Sequence, residues 1–191
     1  MTRKLVVISA GLSTPSSTRL LADRLAEASG MADVRVVELR DLAHEITDNL
    51  LTGFAPAKLQ DALDAVAGAD ALIAVTPIFT GSYSGLFKSF FDVVDKDALV
   101  DKPVLIAATG GTARHSLALE HVVRPMFAYL RAVVVPTTVY AATDDWADEG
   151  ALRSRIDRAA AELVREVSRR DPVTAADPFA LTTTFEDLLS G

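Results

Sequence analysis

Cysteine is absent from the chain, which excludes disulfides, thiolate nucleophiles and cysteine-ligated metals. Histidine is nearly as scarce. His44, His115 and His121 are the three present, and none stands at a metal-ligand spacing such as His-Glu-x-x-His, so no bound metal is expected. Basic residues are also in deficit, with 19 Lys and Arg against 26 Asp and Glu and a net charge of -7. A nucleic-acid surface needs clustered cations that this chain does not show, so small molecules are the expected partners. Long hydrophobic runs are missing as well. The apolar stretch after Lys4 ends at Gly11, too short for a signal core or a membrane span, so a cytoplasmic protein without a membrane partner is expected.

What remains is ordinary globular composition: 191 residues, 50% hydrophobic and 24% charged, enough for one well-buried core. Leu5 to Ala10 is a continuous apolar run, the pattern of a strand buried on both faces in a parallel sheet. Thr18 to Ala28 then places Leu20, Leu21, Leu25 and Ala28 on one helical face, with Asp23, Arg24 and Glu27 turned outward. The alternation continues with strands at Val34 to Leu39, Ala71 to Val75, Val104 to Ala108 and Val133 to Tyr140. Helices are predicted at Lys58 to Ala67, Gly85 to Val94, Thr112 to Leu130 and Asp148 to Arg169.

Strands alternating with helices across short connections require right-handed crossovers and a parallel sheet covered on both faces. The expected fold is a three-layer, doubly wound α/β domain over residues 1–170. Two segments depart from the rhythm. Asp41 to Pro56 reads as a longer connection and Asp171 to Gly191 as a C-terminal extension, both ordered by a partner subunit if at all.

Ligands of open parallel sheets bind beyond the carboxyl ends of the strands, so the following loops hold the information. The first, Gly11 to Arg19, carries hydroxyls at Ser13, Thr14, Ser16, Ser17 and Thr18 beside a helix N-terminus. Hydroxyl donors, unpaired amides and a positive dipole end together suit a phosphate. Simple helix capping needs one such residue, and five exceed it. No Gly-x-Gly-x-x-Gly or Gly-Lys-Ser/Thr is present, so dinucleotide and P-loop sites are disfavoured and Glu38 reads as a solvated strand-end charge.

The second loop runs from Thr76 through Pro77, Ile78, Phe79, Thr80, Gly81, Ser82, Tyr83 and Ser84 to Gly85. Pro77 stiffens the strand exit, the glycines admit a flat ligand, and Phe79 and Tyr83 are candidate ring contacts, with ordinary packing as the alternative. Phe87, Phe90 and Phe91 read as core or dimer-face residues. In the third loop, Thr109 to His115, Gly110 and Gly111 permit close backbone approach, and Thr112 suits an N-cap. Arg114 and His115 are candidates for the charged part of a nucleotide, against the plainer reading of solvated surface.

Together these loops resemble the NADPH-dependent FMN reductase family of flavodoxin-like folds, nearest the reductases of two-component alkanesulfonate and methanesulfonate monooxygenases. The matching stretches are Ser13-x-x-Ser16-Ser17-Thr18, Thr76 to Lys88, and Ala108-Thr109-Gly110-Gly111-Thr112-x-x-His115, within a likeness running from about Leu5 to Trp146. The resemblance implies a flavodoxin-like five-stranded sheet of order 2-1-3-4-5. It implies that Ser13, Ser16, Ser17 and Thr18 hold an FMN phosphate and that Pro77 to Ser82 and Thr109 to Thr112 line the isoalloxazine, with His115 of the third matching stretch a further cofactor-binding candidate. It also implies a homodimer or homotetramer, with His121 as an assembly residue.

Two departures from the family pattern stand out: Thr14 and Pro15 where many members carry an arginine, and Ile78-Phe79-Thr80 where many have Glu-Tyr-Asn. They imply a looser hold on FMN.

The activity implied is NAD(P)H-dependent reduction of FMN, with the reduced flavin supplied to a partner monooxygenase. Hydride transfer between nicotinamide and flavin is cofactor chemistry, so no catalytic acid or base is assigned. The alternatives are an FMN-bound quinone, azo-dye or chromate reductase, and a flavodoxin-like electron carrier. A carrier sandwiches its flavin between aromatics, for which only Phe79, Tyr83 and Trp146 are candidates.

Overall fold

A computed structural model describes residues 2–147 and 149–173, and residues 174–191, most of the expected C-terminal extension, lie outside the described residues. Strand β1 (Lys4–Ser9) is buried from its second residue onward, as its unbroken apolar run requires of an interior strand. It pairs in parallel with β2 (Asp33–Glu38) on one side and β3 (Ala71–Phe79) on the other. On its far side β3 pairs in parallel with β5 (Pro103–Gly110), and β5 with β6 (Val133–Val134) and β7 (Val139–Ala142). The resulting order, β2-β1-β3-β5-β6 with β7 also beside β5, is that of flavodoxin-like sheets.

Helices cover both faces and create two cores. On one side Leu21 and Leu25 of α1 (Ser17–Ser29) meet Leu152, Ile156 and Leu163 of α6 (Glu149–Ser168) over Val7, Ile73 and Leu105. On the other, Leu59 and Val66 of α3 (Ala57–Ala67) join Phe87, Phe90 and Phe91 of α4 (Gly85–Val93) and Phe127 of α5 (Arg124–Tyr129). The four phenylalanines stack at mutual centroid distances of 4.8 to 6.3 Å, so Phe87, Phe90 and Phe91 are core residues. Each buried ring of this kind contributes about 1.5–3 kcal/mol.

Four expectations need correction. The connection from Asp41 to Pro56 contains α2 (Ala43–Thr52), ordered within this chain: Ile46 is buried and Gly53, at φ 78°, closes the helix with its amide on the Asn49 carbonyl. The helix predicted for Thr112 to Leu130 is interrupted. A 3-10 turn at Ala113–His115 and a π turn at Leu119–Val123 precede α5, in whose first turn Pro125 sits, where its missing amide breaks no bond of that helix.

The fifth predicted strand is split into β6 and β7 around Pro136, which cannot donate to a sheet. Glu162 repairs the break by accepting from the Thr137 amide at 2.7 Å and its hydroxyl at 2.9 Å. Finally, β3 runs to Phe79 and folds back as β4 (Ser82–Tyr83), so the second loop is an antiparallel ribbon.

The amino end of the sheet is closed by ionic ties. Asp70 accepts from the Lys4 amide at 2.7 Å, Arg3 at 3.1 Å and the Val173 amide at 2.8 Å. Lys102, 5% exposed, donates its ammonium to the Val66 and Ala67 carbonyls at the C-terminus of α3. The carboxyl end is left open.

Candidate functional site

The strand order reverses between β1 and β3, and at such a switch point the loops leaving the two strands diverge and form a crevice. A cleft of about 440 Å³ lies there, within the size range of ligand pockets. Leu12, Ser13, Ser16, Ser17 and Thr18 line it from the first loop, Pro77, Ile78 and Phe79 from β3, and Thr109, Gly110 and Gly111 from the end of β5. Thr143 and Trp146, beyond β7, complete the wall.

In the first loop two of the five hydroxyls, those of Ser13 and Ser16, hold the loop's own shape. Ser16 is the N-cap of α1, accepting from the Arg19 amide at 3.2 Å. Ser13 donates to the Pro15 carbonyl at 3.0 Å, and the buried Thr18 hydroxyl bonds that of Thr109 at 2.8 Å, tying the first loop to the third. Ser17 has no protein partner among the described residues.

The backbone is different. Among the described residues, none of the amides of Leu12, Ser13, Thr14, Ser16, Ser17 and Thr18 donates to a protein acceptor. Six uncommitted N–H groups at the positive end of a thirteen-residue helix are the kind of donor set that suits an anion. Gly11 makes the tight approach possible, since a Cβ there would lie 2.0 Å from the Ser16 hydroxyl oxygen.

The loop is also anchored from outside, and this overturns the reading of Glu38 as a solvated charge. Its side chain is only 19% exposed and takes Arg19 at 2.5 Å and Arg40 at 3.4 Å on its two oxygens. Arg40 in turn donates to the Ser13 carbonyl at 3.1 Å and to the Thr14 hydroxyl. Arg19 also bonds Asp23 at 2.8 Å, and that hydrogen bond outweighs partial burial to raise the guanidinium's pKa. It remains a fixed cation.

The β3 to β4 ribbon is set by Thr76, buried, which accepts from the Ser84 amide at 3.0 Å and donates to the Pro77 carbonyl at 2.9 Å. Its two-residue turn has Thr80 at φ 51° and Gly81 at φ 78°, the left-handed pair that a tight hairpin demands. The turn projects past the cleft. Thr80, Gly81 and Ser82 are therefore not in its lining, whereas Pro77, Ile78 and the exposed Phe79 are. Tyr83 packs toward Phe87 at 6.0 Å, also outside the lining.

In the third loop Gly110 passes against Tyr140, whose hydroxyl oxygen would stand 2.1 Å from an added Cβ. That hydroxyl donates to the Thr112 carbonyl at 2.9 Å, and burial raises its pKa. Thr112 caps the following turn by accepting from the Arg114 amide at 3.0 Å. Thr112 and His115 are exposed and stand outside the cleft lining, as does Arg114.

Trp146 is held on the opposite rim with the Arg24 guanidinium 5.1 Å above its ring. Asp145 fixes that turn by accepting from the Ala142 amide and from Arg155, both at 2.7 Å. Leu12, Thr143, Gly11 and Tyr140 escaped sequence reasoning. Extending the last strand by two residues to Ala142 places Thr143 at a strand exit, where ligand contacts concentrate. Leu12 carries no chemical signature.

Comparison with known proteins decides the family. The family model for NADPH-dependent FMN reductase matches residues 3–147. The chain belongs to that family. It is 44% identical over 146 residues to an FMN reductase (NADPH) of Pseudomonas aeruginosa, covering 75% of this chain and 78% of the relative. The NADH-dependent FMN reductase SfnE of Pseudomonas putida is 39% identical over 166 residues, 83% of this chain and 89% of the relative. An oxidoreductase from Corynebacterium diphtheriae superposes with a TM-score of 0.86 at 45% identity, covering 89% of this chain and 99% of that one.

FMN reductases are oxidoreductases working with FMN and a reduced nicotinamide nucleotide. Among the described residues there is no cluster of three metal-ligating side chains, and no helix is long and apolar enough to cross a membrane.

Proposed function

We propose that this member of the FMN reductase family holds FMN in the cleft at the β1 to β3 switch point, reduces it with NAD(P)H and supplies reduced FMN to a partner monooxygenase. The observation that carries the reading is the set of six uncommitted amides from Leu12 to Thr18 in the same cleft as the backbone of Pro77 to Phe79 and Gly110 to Gly111. The amides and the Ser17 hydroxyl suit the phosphate dianion. Ile78, Phe79 and Trp146 offer apolar surface for a ring, and the two glycines leave backbone donors accessible at its edge.

Bound FMN supplies the hydride-accepting chemistry, and the chain's own task is placement and exclusion of water. Thr76 fixes the shape of the second loop by accepting from the Ser84 amide, and Tyr140 ties the third loop to β7 by donating to the Thr112 carbonyl. No side chain of the cleft lining is needed as acid or base. The supply role is supported by the likeness to the FMN reductase SfnE. Assembly into a homodimer or homotetramer is part of the proposal. Leu117, His121, Pro125 and Tyr129 form an exposed stripe along the interrupted helix, with Leu117 63% and Tyr129 86% exposed, and a second copy is its proposed cover.

The test is consumption of NADH and of NADPH with and without added FMN. Oxidation that rises and saturates with added FMN, with reduced flavin recoverable in solution, is the expected result. Turnover independent of added FMN, driven instead by quinone or azo acceptors on retained flavin, would replace this reading with the acceptor-reductase one.

A further inference from the structure

The Glu38 carboxylate joins α1 and β2 beneath the anion site in an arrangement that capping alone does not require. One oxygen takes Arg19, on the first turn of α1, at 2.5 Å, and the other lies 3.4 Å from Arg40. Arg40 reaches from just beyond β2 to the middle of the loop, donating to the Ser13 carbonyl at 3.1 Å and to the Thr14 hydroxyl. Two cations around one carboxylate thus clamp both the helix start and the loop's midpoint to the end of β2.

The local charge balance shows what this clamp does. Asp23 lies 2.8 Å from Arg19 and Asp41 3.5 Å from Arg40, so with Glu38 three carboxylates face two guanidiniums. There is no surplus positive charge to draw a phosphate by attraction. What the clamp fixes is direction. By occupying the Ser13 carbonyl and the Thr14 hydroxyl, Arg40 takes up the loop's acceptors on its outer side while the amides of Leu12 to Thr18 stay without protein acceptors.

We infer that Glu38, Arg19 and Arg40 form a positioning brace that presets the anion loop, with Arg40 setting selectivity for a phosphorylated flavin over its dephosphorylated form. The inference rests on the FMN reading of the cleft. Preorganisation of this kind raises affinity by removing the ordering cost from the binding step.

Fluorescence titration of FMN and of riboflavin, which lacks the phosphate, tests it on the full-length wild type and on Arg40→Ala, Arg40→Lys and Glu38→Gln. Arg40 and Glu38 sit at the sheet edge outside both cores, and circular dichroism verifies that each variant is folded. The Kd for FMN is expected to rise about tenfold in Arg40→Ala and Glu38→Gln while that for riboflavin stays within about twofold, and Arg40→Lys is expected to recover most of the loss. FMN affinity unchanged in the variants, or FMN and riboflavin weakening in parallel, overturns the brace. A wild type that binds riboflavin as tightly as FMN overturns the FMN reading itself, a separate failure visible before any variant is made.

Discussion

At the level of single residues, the loop from Leu12 to Thr18 shows how far side-chain inventory goes. Hydroxyl content drew attention to a loop that lines the cleft, yet Ser16 and Ser13 bond within the loop and helix start and Thr18 bonds Thr109 of the third loop. The donors facing outward are backbone amides, which no residue letter announces. Gly110 shows the reverse case, a visible glycine whose reason was hidden until Tyr140 was placed against it. Gly110→Ala forces Tyr140 off the Thr112 carbonyl, with an expected loss of about 1–3 kcal/mol in urea unfolding. Adding Tyr140→Phe, which deletes the clashing oxygen, should return part of that loss. A double variant as unstable as the sum of its parts would show the two positions to be independent.

Among elements, those with one strong apolar signal were legible: β1, β2, α1, α3, α4 and α6 all fall within a few residues of their predicted spans. Helix α2 was not, because Ile46 is its one buried residue, Leu42 offers no side-chain cap, and Leu50 and Leu51 face outward. The split of the last strand was likewise invisible without Glu162. Burial disfavours that carboxylate, yet hydrogen bonds from the Thr137 amide and hydroxyl, with Arg158, hold its pKa below its ordinary 4.5. Its stabilising contribution is therefore complete above that value and disappears as the pH falls through the lower native one. Glu162→Gln should cost about 1–3 kcal/mol at neutral pH, and the gap from wild type should narrow in acid.

Lys102, the cap of α3, acts in the opposite range. Burial pushes its ammonium down from 10.5 to about 8, so between these values the unfolded chain holds a proton that the native one has released. Stability from this group rises with pH across that window. Denaturant unfolding of wild type against Lys102→Met should show the difference moving toward wild type by as much as about 3 kcal/mol from pH 8 to 10.5. A constant difference would mean that Lys102 titrates normally.

On the scale of the whole molecule, the strand order came from the family resemblance carried by the loops, whereas the three layers followed from alternation, since parallel crossovers leave few topologies. Assembly did not, because an exposed apolar side chain reads in sequence like a buried one. With Leu117 and Tyr129 in water, the 20.3 kDa chain is expected to sediment as a dimer or larger, and Tyr129→Glu to shift it toward monomer. A wild-type monomer at micromolar concentration would remove the assembly proposal. The ionic ties at the amino end of the sheet have a practical consequence. Asp70 gathers Arg3, Lys4 and Val173 at one point, placing both ends of the described chain side by side. Strands of six to nine residues, about 20–30 Å, separate that point from the cleft. A surface tether, affinity handle or fused redox domain attached beside Arg3 or Val173 would therefore hang from the base of the sheet and leave the cleft's mouth clear.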